Sequence, residues 1–152
     1  MTRIERAVPR DFLAIAALDR TAWQDHNQPE FIPDGEHVWR IWCEHALTYV
    51  ARQEGRVVGA ILAFPCNNGQ YCLHKVMVDE KCRGRGIASD LFQALLKQVD
   101  GVGLELFLTV HPENEAALSL YAKWGFTERE LIPGFYRETE DRYVLTRRVM
   151  AG

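Results

Sequence analysis

The stretch Tyr71–Val99 constrains this chain more than any other. It reads YCLHKVMV, then DEKCRGRG, then IASDLFQALLKQV: a strand-like run, a basic glycine loop and a helical repeat. In the first segment Cys72, His74, Val76 and Val78 share one face of a strand, and Leu73, Lys75 and Met77 share the other. Glycines between a strand and a helix let the backbone approach another group closely. A helix start offers unpaired N–H groups and a partial positive charge, which together suit an anion. Lys81, Arg83 and Arg85 add cations around that point. A solvated turn is the plainer alternative, but the position between strand and helix favours a pyrophosphate of nucleotide type. The loop is not a Walker A motif, since no Lys-Ser/Thr follows the last glycine. Nor is it a dinucleotide fingerprint, because Ser89 stands where the third glycine belongs.

The rest of the chain supplies the elements such a unit needs. RIERAV (3–8) alternates as a strand, and Pro9 suits a first helical turn. RDFLAIAALDRTAW then places Phe12, Ile15, Ala16 and Leu18 at helical spacing. Residues 24–35 are polar, contain two prolines and read as a loop. EHVWRIWCEHAL (36–47) follows as a second helix with Val38, Trp39, Trp42 and Cys43 on its apolar side. TYVARQ and RVVGAILAF are strands joined by a tight turn, and NNGQ (67–70) makes another. The helix after the glycine loop is expected from about Gly84 to Val99, and VGLELFLTV (102–110) as a buried strand. PENEAALSLYAKWG reads as a helix opened by Pro112 and Glu113 and stopped by Gly125. FTEREL and DRYVLTRRV close the chain as strands. The order is βααβββαβαββ, one α/β domain over residues 1–152, with a mixed sheet and helices on both faces.

Composition narrows the partners. At 152 residues the chain is long enough for one real core, and 47% hydrophobic with 26% charged residues is ordinary for a globular protein. A net charge of −3 gives no global basic field to recruit nucleic acid. Cys43, Cys66, Cys72 and Cys82 form no CxxC pair, which suits reduced thiols, and Cys43 with His45 is too small a set for a metal. No apolar run reaches the length of about 20 residues that spans a bilayer, and no secretory leader is evident. A cytoplasmic protein without metal, membrane or nucleic-acid partner is expected.

Two motifs carry a family resemblance. VDEKCRGRGIASDLFQALL resembles the acyl-CoA-binding motif of the GNAT N-acetyltransferases, Arg/Gln-x-x-Gly-x-Gly/Ala, with Arg83, Gly86 and Ala88 in the matching positions. NEAALSLYAKWGF (114–126) resembles the second marker of that family, Asn-x-x-Ala followed by Tyr-x-x-x-Gly-Phe. Their order and separation also agree with the family. The resemblance implies a mostly antiparallel sheet of about seven strands with four helices, acetyl-CoA as donor, no metal, and direct transfer to an amine.

Residue by residue, it implies that the backbone of Arg83, Gly84, Arg85, Gly86, Ile87, Ala88 and Ser89 grips the pyrophosphate. The backbone of Val76, Met77 and Val78 would pair with the pantetheine arm, the N–H of Val78 serving the thioester oxygen. Asn114 would contact the cofactor. Tyr121, on the same helical face, would protonate the departing thiolate, although packing with Ala117, Leu118 and Trp124 is its plain alternative. The base is open: His74 can take a proton from an ammonium group through water, and Glu36, Glu44 and His111 stand in reserve. Members that use a glutamate base on this strand are not matched at position 72, which is cysteine.

The acceptor is less defined. Residues 21–50 hold Asp25, Glu30, Asp34, Glu36 and Glu44, which suits a cationic amine, and equally a solvated helix face. The tail IPGFYRETEDRYVLTRR resembles members that acetylate protein N-termini. Trp39, Trp42, Phe31 and Phe135 would flank an apolar portion of the acceptor. A small-molecule amine or a peptide amino group is therefore expected, with a homodimer left open. A non-catalytic acyl-CoA sensor or scaffold is the alternative function.

Overall fold

The structure, a computed structural model, describes residues 1–26 and 32–149; the side chains of 23–26 fall outside that description. Its elements are β1 (Thr2–Arg6), α1 (Phe12–His26), α2 (Glu36–His45), β2 (Leu47–Gln53), β3 (Arg56–Pro65), β4 (Tyr71–Val78), α3 (Ile87–Val102), β5 (Leu106–Val110), α4 (Glu115–Lys123), β6 (Glu128–Ile132) and β7 (Arg142–Arg147). Short 3-10 turns lie at Pro9–Asp11 and Glu80–Cys82. The strands form one 7-stranded sheet in the order β1-β2-β3-β4-β5-β7-β6. The β1–β2, β2–β3, β5–β7 and β6–β7 pairs are antiparallel. β4 and β5 run parallel, paired at Tyr71↔Leu106 and Cys72↔Phe107. This is the mixed, mostly antiparallel sheet with four helices that the motifs imply.

Packing divides the chain into two compact units, Met1–Phe64 with His74–Gln98, and Pro65–Leu73 with Val99–Gly152. In the first, Ile15 and Ala16 of α1 and Trp39 and Cys43 of α2 meet Val50, Ala60, Leu62 and Met77 from the sheet. The apolar spacing of the two helices dictates that contact. The β2–β3 hairpin turns through Glu54 (φ 52°) and Gly55 (φ 78°), the paired left-handed residues that suit the strand twist.

Gly59 of β3 decides where α3 sits. A Cβ there would lie 3.1 Å from the Met77 carbonyl oxygen and 3.3 Å from side-chain carbons of both Ile87 and Leu91. The first turns of α3 therefore rest in a gap that only glycine leaves open.

In the second unit the end of α3, α4 and β7 are tied by one buried arginine. Arg147 donates from both terminal nitrogens to Asp100 (2.7 and 2.9 Å) and from Nε to the Trp124 carbonyl at 2.9 Å. Several element boundaries differ from the sequence expectation. Helix α3 runs on to Val102 because Gly103 (φ 74°) closes it, with Leu104 N–H donating to Val99 O at 2.8 Å and Gly103 N–H to Asp100 O at 3.3 Å. β5 consequently starts at Leu106 rather than at Val102. Helix α4 starts at Glu115, not at Pro112, because Asn114 caps it: its Oδ1 accepts from Ala117 N–H at 3.1 Å.

Gly59→Val is expected to lower stability in urea by about 1–3 kcal/mol, since the Met77 backbone cannot yield as a side-chain end would. An unchanged midpoint would show that α3 does not need the gap.

Candidate active site

The glycine loop is built from the end of β4 outward. Asp79 N–H donates to Val58 O at 2.8 Å, and its Oδ1 accepts from Lys81 N–H at 3.0 Å, which fixes the turn at Glu80–Cys82. Cys82 is buried beneath that turn. Gly84 and Gly86 both have φ +80°, the left-handed region, and a Cβ at either would meet open space. The requirement for glycine here lies in the backbone angle, not in crowding. Gly86 O accepts the Asp90 N–H at 3.0 Å, so helix α3 begins at Ile87 rather than at Gly84. The N–H groups of Ile87, Ala88 and Ser89 are thereby first-turn donors. Ile87 is buried and anchors the turn, whereas Arg83, Gly84, Arg85, Gly86, Ala88 and Ser89 are exposed. Arg83 does not simply reach outward: its Nε donates to Val78 O at 3.2 Å and braces the end of β4.

Midway along β4 the alternation expected from the sequence separates two charged side chains. Lys75 faces inward and His74 outward. The Lys75 ammonium lies 2.8 and 2.9 Å from the two carboxylate oxygens of Asp19, on α1, and 2.8 Å from Ile32 O. It is also 2.9 Å from Asp34 Oδ2. Asp19 is fully buried and accepts in addition from the Asp34 N–H (2.8 Å) and the Trp39 indole (3.1 Å). His74 Nε2 is 2.9 Å from the same Asp34 Oδ2. Burial pushes the Asp34 carboxyl up, but its bonds and charge contacts with His74 and Lys75 outweigh that and hold it below the ordinary 3.8.

The His74 ring stands edge-on to Trp42 and Phe64, with centroids at 5.4 and 5.6 Å. Those two aromatics are themselves stacked at 5.8 Å. Trp39 is not an acceptor wall, as its aromatic character suggested. It is completely buried, with its indole N–H given to Asp19. Phe31 and Glu30 lie outside the described residues, as does the Asp25 side chain. The reserve carboxylates are engaged elsewhere: Glu36 pairs with Arg20 at 3.7 Å, and Glu44 with Arg40 and His45 at 3.4 Å each.

The second unit holds the other candidate residues. Tyr121 is mostly buried on α4, edge-on to Phe126 at 5.7 Å, and burial raises its phenol above the ordinary tyrosine value. Asn114 spends its side-chain oxygen on the helix cap. His111 Nδ1 accepts from Glu113 N–H at 3.1 Å. The hydroxyls of Thr109 and Tyr136 meet at 2.7 Å, a contact that sequence reasoning did not anticipate, and Phe135 packs edge-on against Tyr136. No disulfide joins any of the four cysteines. Burial, followed by the field of Cys66, pushes Cys72 up to about 12, far from a nucleophile's range. No group of three or more metal-ligating side chains occurs among the described residues.

Asp19 and the buried partnership of Lys75 were missed from the sequence. The one available signal was an aspartate on the apolar side of a helix and a lysine at an inward strand position.

Comparison with known proteins identifies the family and the fold. Residues 12–126 match the model of the acetyltransferase (GNAT) family. The YwnH protein of Bacillus subtilis (strain 168), which carries a provisional phosphinothricin acetyltransferase name, is 33% identical over 103 residues, 64% of this chain and 63% of its own. The chain thus spans less than two thirds of that relative. An N-alpha-acetyltransferase of Sulfurisphaera tokodaii is 30% identical over 156 residues, covering 94% of this chain and 90% of its own. Among solved structures, the ribosomal-protein-S18-alanine N-acetyltransferase of Escherichia coli superposes with a TM-score of 0.79 at 22% identity, over 100% of this chain and 97% of that one. With both motifs in place on the fold, the chain belongs to the GNAT acetyltransferase family.

Lys75→Met would leave Asp19 as a buried carboxylate without its cation. Unfolding in urea is expected to show a loss of about 3–5 kcal/mol, the range for breaking one partner of a buried pair. Adding Asp19→Leu should recover much of it; a Lys75→Met protein of native stability would show that the pair carries nothing.

Proposed function

We propose that the chain is an acetyl-CoA-dependent N-acetyltransferase that transfers an acetyl group directly to a primary amine, small or peptidic, with residues 1–152 acting as one catalytic domain. The observation that carries this reading is the pair of left-handed glycines, Gly84 and Gly86, placed directly before the first-turn amides of α3. A backbone shaped in that way suits a pyrophosphate, and the family motif lies on the same residues. When bound, acetyl-CoA supplies an activated thioester carbon to the amine.

The chain's own groups then have separable tasks. The N–H groups of Ile87, Ala88 and Ser89, with Arg85 and the backbone from Arg83 to Gly86, hold the pyrophosphate. The backbone of Val76, Met77 and Val78 receives the pantetheine arm, and the Val78 N–H polarises the carbonyl oxygen. Arg83, bonded to Val78 O, keeps that end of β4 in place. Asn114 gives its oxygen to the helix cap, so its amide nitrogen is the group assigned to the cofactor. Tyr121, its pKa raised by burial, carries its proton at neutral pH and donates it to the leaving thiolate. His74 accepts the proton released by the ammonium of the acceptor.

The Trp42–Phe64 stack beside His74 supports an acceptor with an apolar portion next to its amine. Because Glu36 and Glu44 are already paired with arginines, selection of a multiply charged amine is less well supported than the raw sequence suggested. The Sulfurisphaera tokodaii relative is named for N-alpha acetylation, which makes peptide N-termini the first acceptors to test. Four cysteines without a disulfide among them support a reducing, cytoplasmic setting.

Calorimetry with acetyl-CoA, followed by thiol release on adding peptides and small amines, tests the reading. Binding with release from one pool is the expected result, whereas binding without release from any pool would favour a sensor. Gly86→Asp should abolish binding, because the aspartate combines a strained left-handed backbone with a negative charge at the anion site; wild-type affinity would overturn the loop assignment. Tyr121→Phe should keep acetyl-CoA affinity and lower turnover by roughly 10²-fold, the low end for a lost general acid. A wild-type rate would remove Tyr121 from the chemistry.

A further inference from the structure

A histidine on the open face of a strand samples several ring orientations unless a partner holds it. His74 has such a partner. Its side chain is 34% exposed, and Nε2 lies 2.9 Å from Oδ2 of Asp34, itself 27% exposed. We propose that Asp34 is the positioning residue for His74, and that the buried Lys75–Asp19 pair fixes Asp34 for that task. The inference rests on the reading of His74 as the base.

The fixing is over-determined. The backbone of Asp34 is tied down because its N–H donates to Asp19 Oδ2 at 2.8 Å. Two residues earlier, Ile32 O accepts from the Lys75 ammonium at 2.8 Å. The side chain is tied as well, by the 2.9 Å contact of Oδ2 with the same ammonium. A short segment between two helices is thus pinned at three points to a charge pair with almost no solvent access. Only then does the free side of Oδ2 meet His74.

The geometry also assigns the ring nitrogens. With Nε2–H donated to the carboxylate, Nδ1 keeps the lone pair, and Nδ1 is the atom that takes the ammonium proton. The amine is released with its electron pair for attack on the thioester carbon, and the ring becomes an imidazolium facing Asp34. The groups around the ring are Asp34 from the segment before α2, Lys75 through the shared oxygen, Trp42 from α2 and Phe64 from β3. Lys75 divides its single charge between Asp19 and Asp34, and the contribution assigned to Asp34 is the direction it gives the ring.

A double-mutant cycle of Asp34→Ala and His74→Ala tests this, with kcat, KM for the acceptor and acetyl-CoA affinity measured for each protein. Asp34→Ala is expected to lower kcat by roughly 10- to 100-fold, a share of what a positioned base contributes. Acetyl-CoA affinity should stay at the wild-type value. In the His74→Ala background the same change should cost less than about twofold, because nothing is left to position. Asp34→Asn, which keeps an oxygen for Nε2–H, should recover most of the lost turnover. Equal losses in both backgrounds, or no loss from Asp34→Ala, would overturn the inference while leaving His74 as the base. A His74→Ala enzyme with wild-type turnover would sink the base and the inference together. Nitrogen NMR of the wild-type ring needs no variant to fold: the Nε2–H tautomer is expected for neutral His74, and the Nδ1–H tautomer would overturn the assignment.

Discussion

Two charges with almost no access to water organise the first unit. Asp19 on α1 and Lys75 on β4 would each be costly alone in an apolar interior, by several kcal/mol even after relaxation. They are tolerated because each is hydrogen-bonded to several partners. Asp19 receives the ammonium, the Trp39 indole and the Asp34 amide; Lys75 gives to Asp19, Ile32 O and Asp34. The consequence is geometric rather than cohesive. A well-packed leucine pair could match such a pair in stability. It could not also dictate where the backbone of residues 32–34 lies, nor which way the Asp34 carboxylate points.

That division of labour follows from the period of a strand. Leu73, Lys75 and Met77 of β4 face the core, and Cys72, His74, Val76 and Val78 face the other way. One segment thereby supplies an interior anchor, an exposed histidine and, at its far end, the start of the glycine loop. The loop in turn depends on a residue in another strand. Gly59 of β3 makes room for Ile87 and Leu91, so α3 can lie close to the sheet with its first turn presented beside Gly84 and Gly86. The gap at Gly59 thereby sets how closely the first turns of α3 approach the sheet.

Much of this was legible before the fold was seen. The pattern of each segment pointed to the element order and to the eleven strands and helices of the described residues, because local periodicity and turn chemistry agree along the chain. The boundaries that moved did so at caps. Asn114 and Gly103 end or start helices by single hydrogen bonds, which apolar spacing does not register. The residue types of the candidate site could be read from the sequence, but their partnerships could not. His74 was one candidate base beside Glu36, Glu44 and His111, and Asp34 one acid among several. Their meeting across forty positions, through Lys75 and Asp19, is a tertiary fact with no local signature. Trp39 misled for a related reason: a tryptophan suggests a binding surface, yet this one is the donor that completes a buried carboxylate.

The remaining question is why a chain would set a histidine against a carboxylate that a lysine already shares. An unshared carboxylate would hold the ring and also bind its proton firmly, slowing the return of the base to its neutral form. Sharing Oδ2 with Lys75 lessens the second effect, since the hydrogen bond keeps its direction while part of the charge faces an ammonium that also serves Asp19. The same ammonium holds Asp34 below the usual carboxylate range after burial has pushed it the other way. The carboxylate therefore stays ionised, and an acceptor for Nε2–H, wherever the ordinary value of 3.8 would already have it so. It loses that form only as pH falls through its lowered folded value, and down to that point the carboxylate that orients the ring is kept.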